Sequence, residues 1–274
     1  MTTLAAGVGR EWLLLREPAD AAARDPGLVQ EVRGHLSPSA TLVVHDLGCG
    51  TGSMGRWLAP RLPGRQHWVL HDREPDLLAY ADAHRPVASA DGRGVGVETR
   101  LHDVGGLDGS QLAGASLVTA SALLDLLTAT ELERLVSACA DAGCPALLTL
   151  SVAGRVVLEP PDQLDATVAA AFDAHQRRTV AGRRLLGPDA ADVAAGLFRR
   201  LGYEVLVRPS PWRLGAGSAR LALAWLDGWV AAAGEQRPEL LPDLERYRSR
   251  RRHQAAAGLL GVRVAHHDLW ARPR

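Results

Sequence analysis

The residues best suited to chemistry stand together near the start of the chain: Val44-His45-Asp46-Leu47-Gly48-Cys49-Gly50-Thr51-Gly52-Ser53. A short apolar, β-rich run, residues 41–46, leads into an acid and three glycines at alternate positions. Glycine at such a turn lets the chain bend sharply and lets a ligand come close to the backbone. A dinucleotide loop instead requires G-x-G-x-x-G, which seats a pyrophosphate on a helix end. That spacing would need glycine at position 53, where Ser53 stands. The loop therefore departs from the dinucleotide pattern and suits a ligand without a pyrophosphate. Asp46 either serves that ligand or caps the turn. Cys49 reads as a small packing residue in the loop rather than as a reactive thiol.

A second candidate lies far down the chain. Leu164, Val168, Phe172 and His175 recur at the spacing of one helical face. His175 thus continues an apolar stripe that turns inward, either as a general base or as an interhelix histidine with both nitrogens satisfied. His266 and His267 are neighbours on a strand and point to opposite faces, so at most one faces a cleft. Trp212, Trp225 and Trp229 pack a helical hairpin or wall an apolar pocket. Arg246–Arg252 (RYRSRRR) is a solvated helix face or a contact for phosphates.

The elements that position these residues alternate. Strands are expected at 41–46, 67–71, 95–102, 116–120, 146–152 and 203–208, and a last one at 261–272. Helices are expected at 12–35 (interrupted at Pro18 and Pro26), up to 62, and at 74–83, 130–142, 162–178, 189–201, 218–233 and 242–260. This alternation implies an α/β fold with a mostly parallel sheet and helices on both faces. The expected organisation is an N-terminal helical segment, 1–38, and one domain, 39–274. Helical insertions near 155–187 and 217–259 would cover the cleft.

Composition narrows the chemistry. The 274 residues carry 31 basic and 31 acidic side chains, for a formal net charge of zero. A general nucleic-acid binder normally shows a positive excess. Every basic residue is Arg, and Lys, Asn and Ile are absent. A Schiff-base lysine, a Walker-type lysine and a catalytic Asn are therefore excluded. Three cysteines, Cys49, Cys139 and Cys144, form neither a CxxC pair nor a zinc set, which suits a reducing cytoplasm. The start of the sequence lacks the pattern of a signal peptide, and no apolar run is long enough for a membrane span.

The acid-x-G-x-G-x-G run resembles the first motif of class I S-adenosylmethionine (SAM) dependent methyltransferases. The resemblance covers roughly residues 40–155 and implies a seven-stranded sheet, six strands parallel and the last antiparallel. It implies SAM as cofactor, held by Asp46, Gly48, Cys49, Gly50 and Gly52. Asp72, after the second strand, matches the acid that holds both ribose hydroxyls. Asp103, in Leu101-His102-Asp103-Val104, matches the residue that meets the adenine amino group. The segment Ser121-Ala-Leu-Leu-Asp125 matches the active-site edge after the fourth strand, with Ser121 as a polar contact and Asp125 as a catalytic candidate beside His175. An arginine of the N-terminal extension, Arg16 or Arg24, is placed to reach the methionine carboxylate. The family members that methylate nucleobase or glutamine amino groups carry Asn/Asp-Pro-Pro-Tyr where this chain has Ser121–Asp125, and this departure points away from those substrates. No carboxylate and Asn set fits a magnesium-dependent site, so no metal is expected. The implied activity is methyl transfer to an oxygen, nitrogen or carbon of a small molecule. An RNA methyltransferase and a non-catalytic SAM-binding adaptor or sensor are the alternatives.

Overall fold

The computed structural model describes residues 9–36 and 41–274. Its helices are α1 Arg10–Ala23, α2 Pro26–His35, α3 Ser53–Leu58, α4 Pro75–Ala83, α5 Ala129–Asp141, α6 Asp165–Gln176, α7 Ala190–Arg200, α8 Ala219–Gln236 and α9 Leu241–Ala256. Its strands are β1 Leu42–Leu47, β2 Gln66–Asp72, β3 Val95–Leu101, β4 Leu117–Ser121, β5 Ala146–Glu159, β6 Thr179–Val180, β7 Arg183–Arg184, β8 Glu204–Pro209, β9 Trp212–Leu214 and β10 Gly261–Arg272. The segment boundary expected near residue 38 falls outside the described residues.

Seven strands form the sheet in the order β3-β2-β1-β4-β5-β10-β8, and β9 adds an eighth by pairing with β10. Pairs among β1 to β5 are parallel, and β10 runs antiparallel to both β5 and β8. The expected count and direction hold. The last strand inserts between β5 and β8, so that it is central and not an edge.

Side-chain alternation divides the core between the two faces. On one face Leu42, Val44, Trp68, Leu70 and Trp270 pack with α2 and α3. On the other, Leu47, Val118 and Ala120 pack under α5 and α7. Helix α5 shows how sequence makes such an element. Thr128 and Glu131 form a capping box at its start, and Leu132, Leu135, Val136 and Cys139 make one buried stripe. Truncating fully buried Leu135 to Ala would cost on the order of 2–5 kcal/mol.

A third core lies beyond the sheet. The far ends of β5 and β10 carry Leu158, Val262 and Val264, and β9, α6, α8 and α9 close around them with Trp212, Trp225, Trp229 and Tyr247. The fifth strand is thus twice the expected length: β10 pairs with residues 156–159 as far as Gly261, and residues 153–155 bulge between that stretch and Val152. Trp225 and Trp229 stack at 5.1 Å within α8, whereas Trp212 lies on β9. The structure corrects the placing of Trp212 in the hairpin.

Helix α1 runs straight through Pro18 and breaks only at Arg24, where Asp25 caps α2 and Pro26 begins it. An interior proline costs about 3 kcal/mol. Trp12, Leu15, Ala19 and Ala23 offset it by packing on the third core. Among the described residues no helix is long and apolar enough to cross a membrane.

Candidate cofactor and acceptor site

The strand order reverses between β1 and β4, and ligands of open α/β sheets bind outside the carboxyl ends of strands at such a point. The glycine loop leaves β1 there. Gly48, Gly50 and Gly52 all take positive φ, at 62°, 55° and 78°, a region that L side chains rarely adopt. The spacing of glycines is therefore a spacing of left-handed turns. The loop is stitched to β2 by Cys49 N–H donating to the His71 carbonyl at 2.9 Å. Gly50 N–H donates to Asp72 Oδ2 at 2.8 Å, and Glu74 N–H donates to Oδ1 at 3.0 Å. Each Asp72 oxygen keeps one lone pair for a further donor.

Helix α1 covers this loop. A Cβ on Gly50 would stand 3.1 Å from Leu13 Cδ1, and one on Gly48 would stand 2.9 Å from Leu123 Cδ1. Glu17 of α1 pairs with Arg56 of α3 at 2.6 Å. At the end of α1 the side chain of Arg24 turns into the molecule, 2% exposed. Its Nη2 donates to Ser121 Oγ at 2.9 Å, while Nε and Nη1 are buried without a partner. Burial lowers its pKa, and Asp20, Asp268 and Asp46 oppose that drop. Asp46 is also buried. Its Oδ1 accepts from Thr119 Oγ1 at 2.7 Å, and Oδ2 has no partner. Desolvation lifts its pKa to about 7 against the pull of Thr119 and Arg24. Arg24 thus has buried guanidinium donors without partners, and Asp46, close enough to act on its charge, has a buried carboxylate oxygen without one.

The loop after β4 turns at Ala122, whose φ of 53° is unusual for alanine. That turn directs Ser121 toward Arg24 and carries Asp125 a few residues on. Asp125 is half-buried, and burial raises its pKa to about 6, with Arg16 as the only charge pulling it back. Arg16 is held by Asp20 at 2.9 Å and lies over the Trp212 ring at 4.9 Å. Trp212 Nε1 donates to Asp20 at 2.9 Å. Beside it, His266 is 5.3 Å from the Trp212 ring, and burial first, then Arg16, lowers its pKa to about 3. Of the two last-strand histidines, His266 is the buried one, and His267 is half-buried.

Asp268 pins the region. Its Oδ2 accepts from Asp25 N–H and its Oδ1 from Leu150 N–H, both at 2.8 Å. Leu150 has a φ of 58° at one of the two points where β5 and β10 slip register. Nothing in the sequence marks this Asp as a clamp on a bulge.

Of the residues singled out from sequence, the structure brings together Asp46, Gly48, Gly50, Gly52, Asp72, Ser121 and Arg24. The arginine that reaches Ser121 is Arg24. Arg16, on the same helix, is occupied by Asp20 and Trp212. Cys49 packs in the core, and burial raises its thiol pKa further. Asp103 is exposed at the end of β3 and accepts from Gly105 N–H at 2.9 Å.

His175 is buried between α6 and α8. Its Nε2 lies 3.1 Å from Glu235 and its Nδ1 lies 3.2 Å from Arg178 Nη1. Arginine only donates, so Nδ1 accepts and Nε2–H donates, which is the neutral ring. Burial and Arg178 lower its pKa in keeping with that. The inward stripe of α6 faces α8, and both nitrogens of His175 are engaged there.

The basic run of α9 is largely paired. Arg246 meets Asp243, Arg250 meets Asp162, Arg251 meets Asp165 and Arg252 meets Asp227. Arg251 is fully buried.

No protein-family model matches the sequence, and no curated protein does. The chain is similar to several solved structures. One is a cyclopropane synthase from Mycobacterium tuberculosis, at 12% identity, with 97% of this chain and 95% of that chain covered and a TM-score of 0.49. A second is a SAM-dependent methyltransferase from Thiobacillus denitrificans in complex with S-adenosyl-L-homocysteine, at 15% identity, 97% and 99% coverage and a TM-score of 0.45. A third, from Geobacter sulfurreducens in the same kind of complex, has 18% identity, 96% and 98% coverage and a TM-score of 0.43.

Proposed function

We propose that this chain binds SAM at the β1–β4 switch point and transfers its methyl group to a small molecule. The observation that carries the reading is the pairing of unmet needs at one place. Arg24 has two buried donors without acceptors, and Asp46 beside it has one buried oxygen without a donor. Leaving a buried charge unpaired costs several kcal/mol. The zwitterionic end of an amino acid answers both, its carboxylate on Arg24 and its ammonium on Asp46. The positive-φ glycines open the loop backbone to the same portion of the ligand. Asp72 holds the loop through Gly50 and keeps a lone pair on each oxygen for vicinal hydroxyls.

When bound, SAM supplies a methyl group on a sulfonium, already activated for displacement. What remains for the chain is to align the acceptor, exclude water and, for an oxygen or nitrogen acceptor, take a proton. Asp125 fits the last role. It is at the edge after β4 and half-buried, and with a pKa of about 6 it is mostly ionised at neutral pH yet a better base than an ordinary carboxylate. Leu123, over Gly48, screens the loop from water. Asp103, beyond the end of β3, is the residue proposed to meet the adenine amino group. A small-molecule acceptor is preferred to RNA because the α9 arginines are already spent on Asp partners.

Titration calorimetry with SAM, S-adenosylhomocysteine and NAD tests the reading directly. SAM and S-adenosylhomocysteine should bind and NAD should not. NAD binding without SAM binding would overturn it. Binding of SAM with no S-adenosylhomocysteine formed from any small-molecule extract would make the chain a sensor or adaptor.

A further inference from the structure

Strand β3 ends the sheet and is exposed along most of its length. Among the described residues no strand pairs with its outer edge. A single bridge, Ala88 to Gly94, lies just before it. Hydrogen bonds to β2 fix which groups face outward. Gln66 N–H reaches the Gly94 carbonyl, and His102 N–H reaches the Asp72 carbonyl. Even-numbered residues of β3 therefore point their backbone groups at β2. The N–H and C=O groups of Val95, Val97, Thr99 and Leu101 point out, a row of unpaired groups that templates another strand.

We propose that a second copy of this chain pairs there, β3 against β3 and antiparallel, with Thr99 opposite Thr99. The charge pattern selects this register. Glu98 and Arg100 sit on one face and already meet at 2.7 Å within a chain. Centring on Glu98 or on Arg100 sets like charges face to face. Centring on Thr99 sets each Glu98 opposite the partner's Arg100, in the closely spaced non-hydrogen-bonded sites where side chains interact most. The same register joins outward-pointing Thr99 to Thr99 and Val97 to Leu101, so the backbone groups complete their ladder. It also covers Leu101, 65% exposed in the single chain. The result is one sheet continuous across a two-fold axis, an isologous contact.

Sedimentation of the full chain over a concentration series tests this, with circular dichroism to check that each variant is folded. Wild type should sediment as a dimer at micromolar concentration. Glu98→Arg and Arg100→Glu each place like charges across the axis and should raise the dissociation constant at least tenfold. The double variant Glu98→Arg/Arg100→Glu restores opposite charges and should restore the dimer. Wild type that stays monomeric, single variants that dimerise as wild type does, or a double variant that stays dissociated would each overturn the proposal.

Discussion

Arg24, the residue at which α1 ends, donates to Ser121, the residue at which β4 ends, at 2.9 Å. One hydrogen bond thus ties the N-terminal helix to the carboxyl edge of the sheet and leaves Nε and Nη1 of the guanidinium without partners. If those free donors serve a ligand carboxylate, Arg24→Met should separate binding from stability. SAM affinity should fall by about 1.5–3 kcal/mol, the worth of hydrogen bonds to a charged group. The melting temperature should hold or rise, because a buried unpaired charge is replaced by an apolar chain of similar length. Calorimetry and thermal unfolding on one preparation decide it, and unchanged SAM affinity counts against the assignment.

Asp72→Ala is expected to do two things. It removes the carboxylate proposed to accept from ligand hydroxyls, and it strands the buried Gly50 N–H. From its place at a strand end one would expect the fold to survive untouched, but the bonds to Gly50 and Glu74 correct that. Stability should fall by roughly 1–3 kcal/mol together with a similar loss in SAM affinity. A variant with wild-type affinity would show that strand two does not serve the ligand.

Asp125 and Asp46 are two of the carboxyls that burial raises, and they give a pH dependence with a definite sign. A folded-state pKa above the unfolded one means that the native state holds the proton more tightly, so stability falls as pH rises. For Asp125 the window runs from the ordinary carboxyl range to about 6, and for Asp46 to about 7. Asp125→Asn should reduce the first of these falls, to which Asp173, also raised to about 6 by burial, contributes as well. If Asp125 is the base, the same change should lower turnover by roughly 10²–10⁴, and wild-type turnover should rise with pH through about 6. A flat rate profile with normal turnover in the variant would remove Asp125 from the chemistry.

His175→Ala separates structure from chemistry at the other candidate. Loss of the ring breaks its contacts to Glu235 and Arg178 and opens space between α6 and α8. The melting temperature should drop while turnover of the folded fraction stays intact. In wild type, the lowered pKa means that stability is lost as pH falls below the usual imidazole range, because the buried ring must charge. A large fall in turnover with an unchanged melting temperature would restore a catalytic role.

Much of the sheet was legible because its signals are local. The β1 run, the alternate glycines and the stripe of α5 each specify their own geometry. The far half of β5 was not, because Gly154 stands at a bulge and residues 156–159 are extended through pairing with β10, more than a hundred positions away. The choice between Arg16 and Arg24 was equally hidden. Both lie on the inward side of α1, and only the break after Ala23 decides which one reaches the sheet. The inward stripe of α6 was read correctly as inward, but periodicity does not say whether inward means a cleft or another helix.

The paired length of β5 and β10 governs how the molecule can move. Strand β5 has 14 residues and β10 has 12, so β5 at about 3.3 Å per residue makes a beam on the order of 45 Å long. The sheet sits at one end and the tryptophan-rich lobe at the other. Swinging that lobe would shear a hydrogen-bonded ladder with two irregular points: the bulge at Leu150, locked by Asp268, and a second at residues 153–155, where Gly154 takes a φ of 63°. The lock at Asp268 covers only the first of these, whereas α1 is fastened across the glycine loop by Leu13 and the Glu17–Arg56 pair. Entry of ligand at that loop should therefore be paced by the loosening of this one helix.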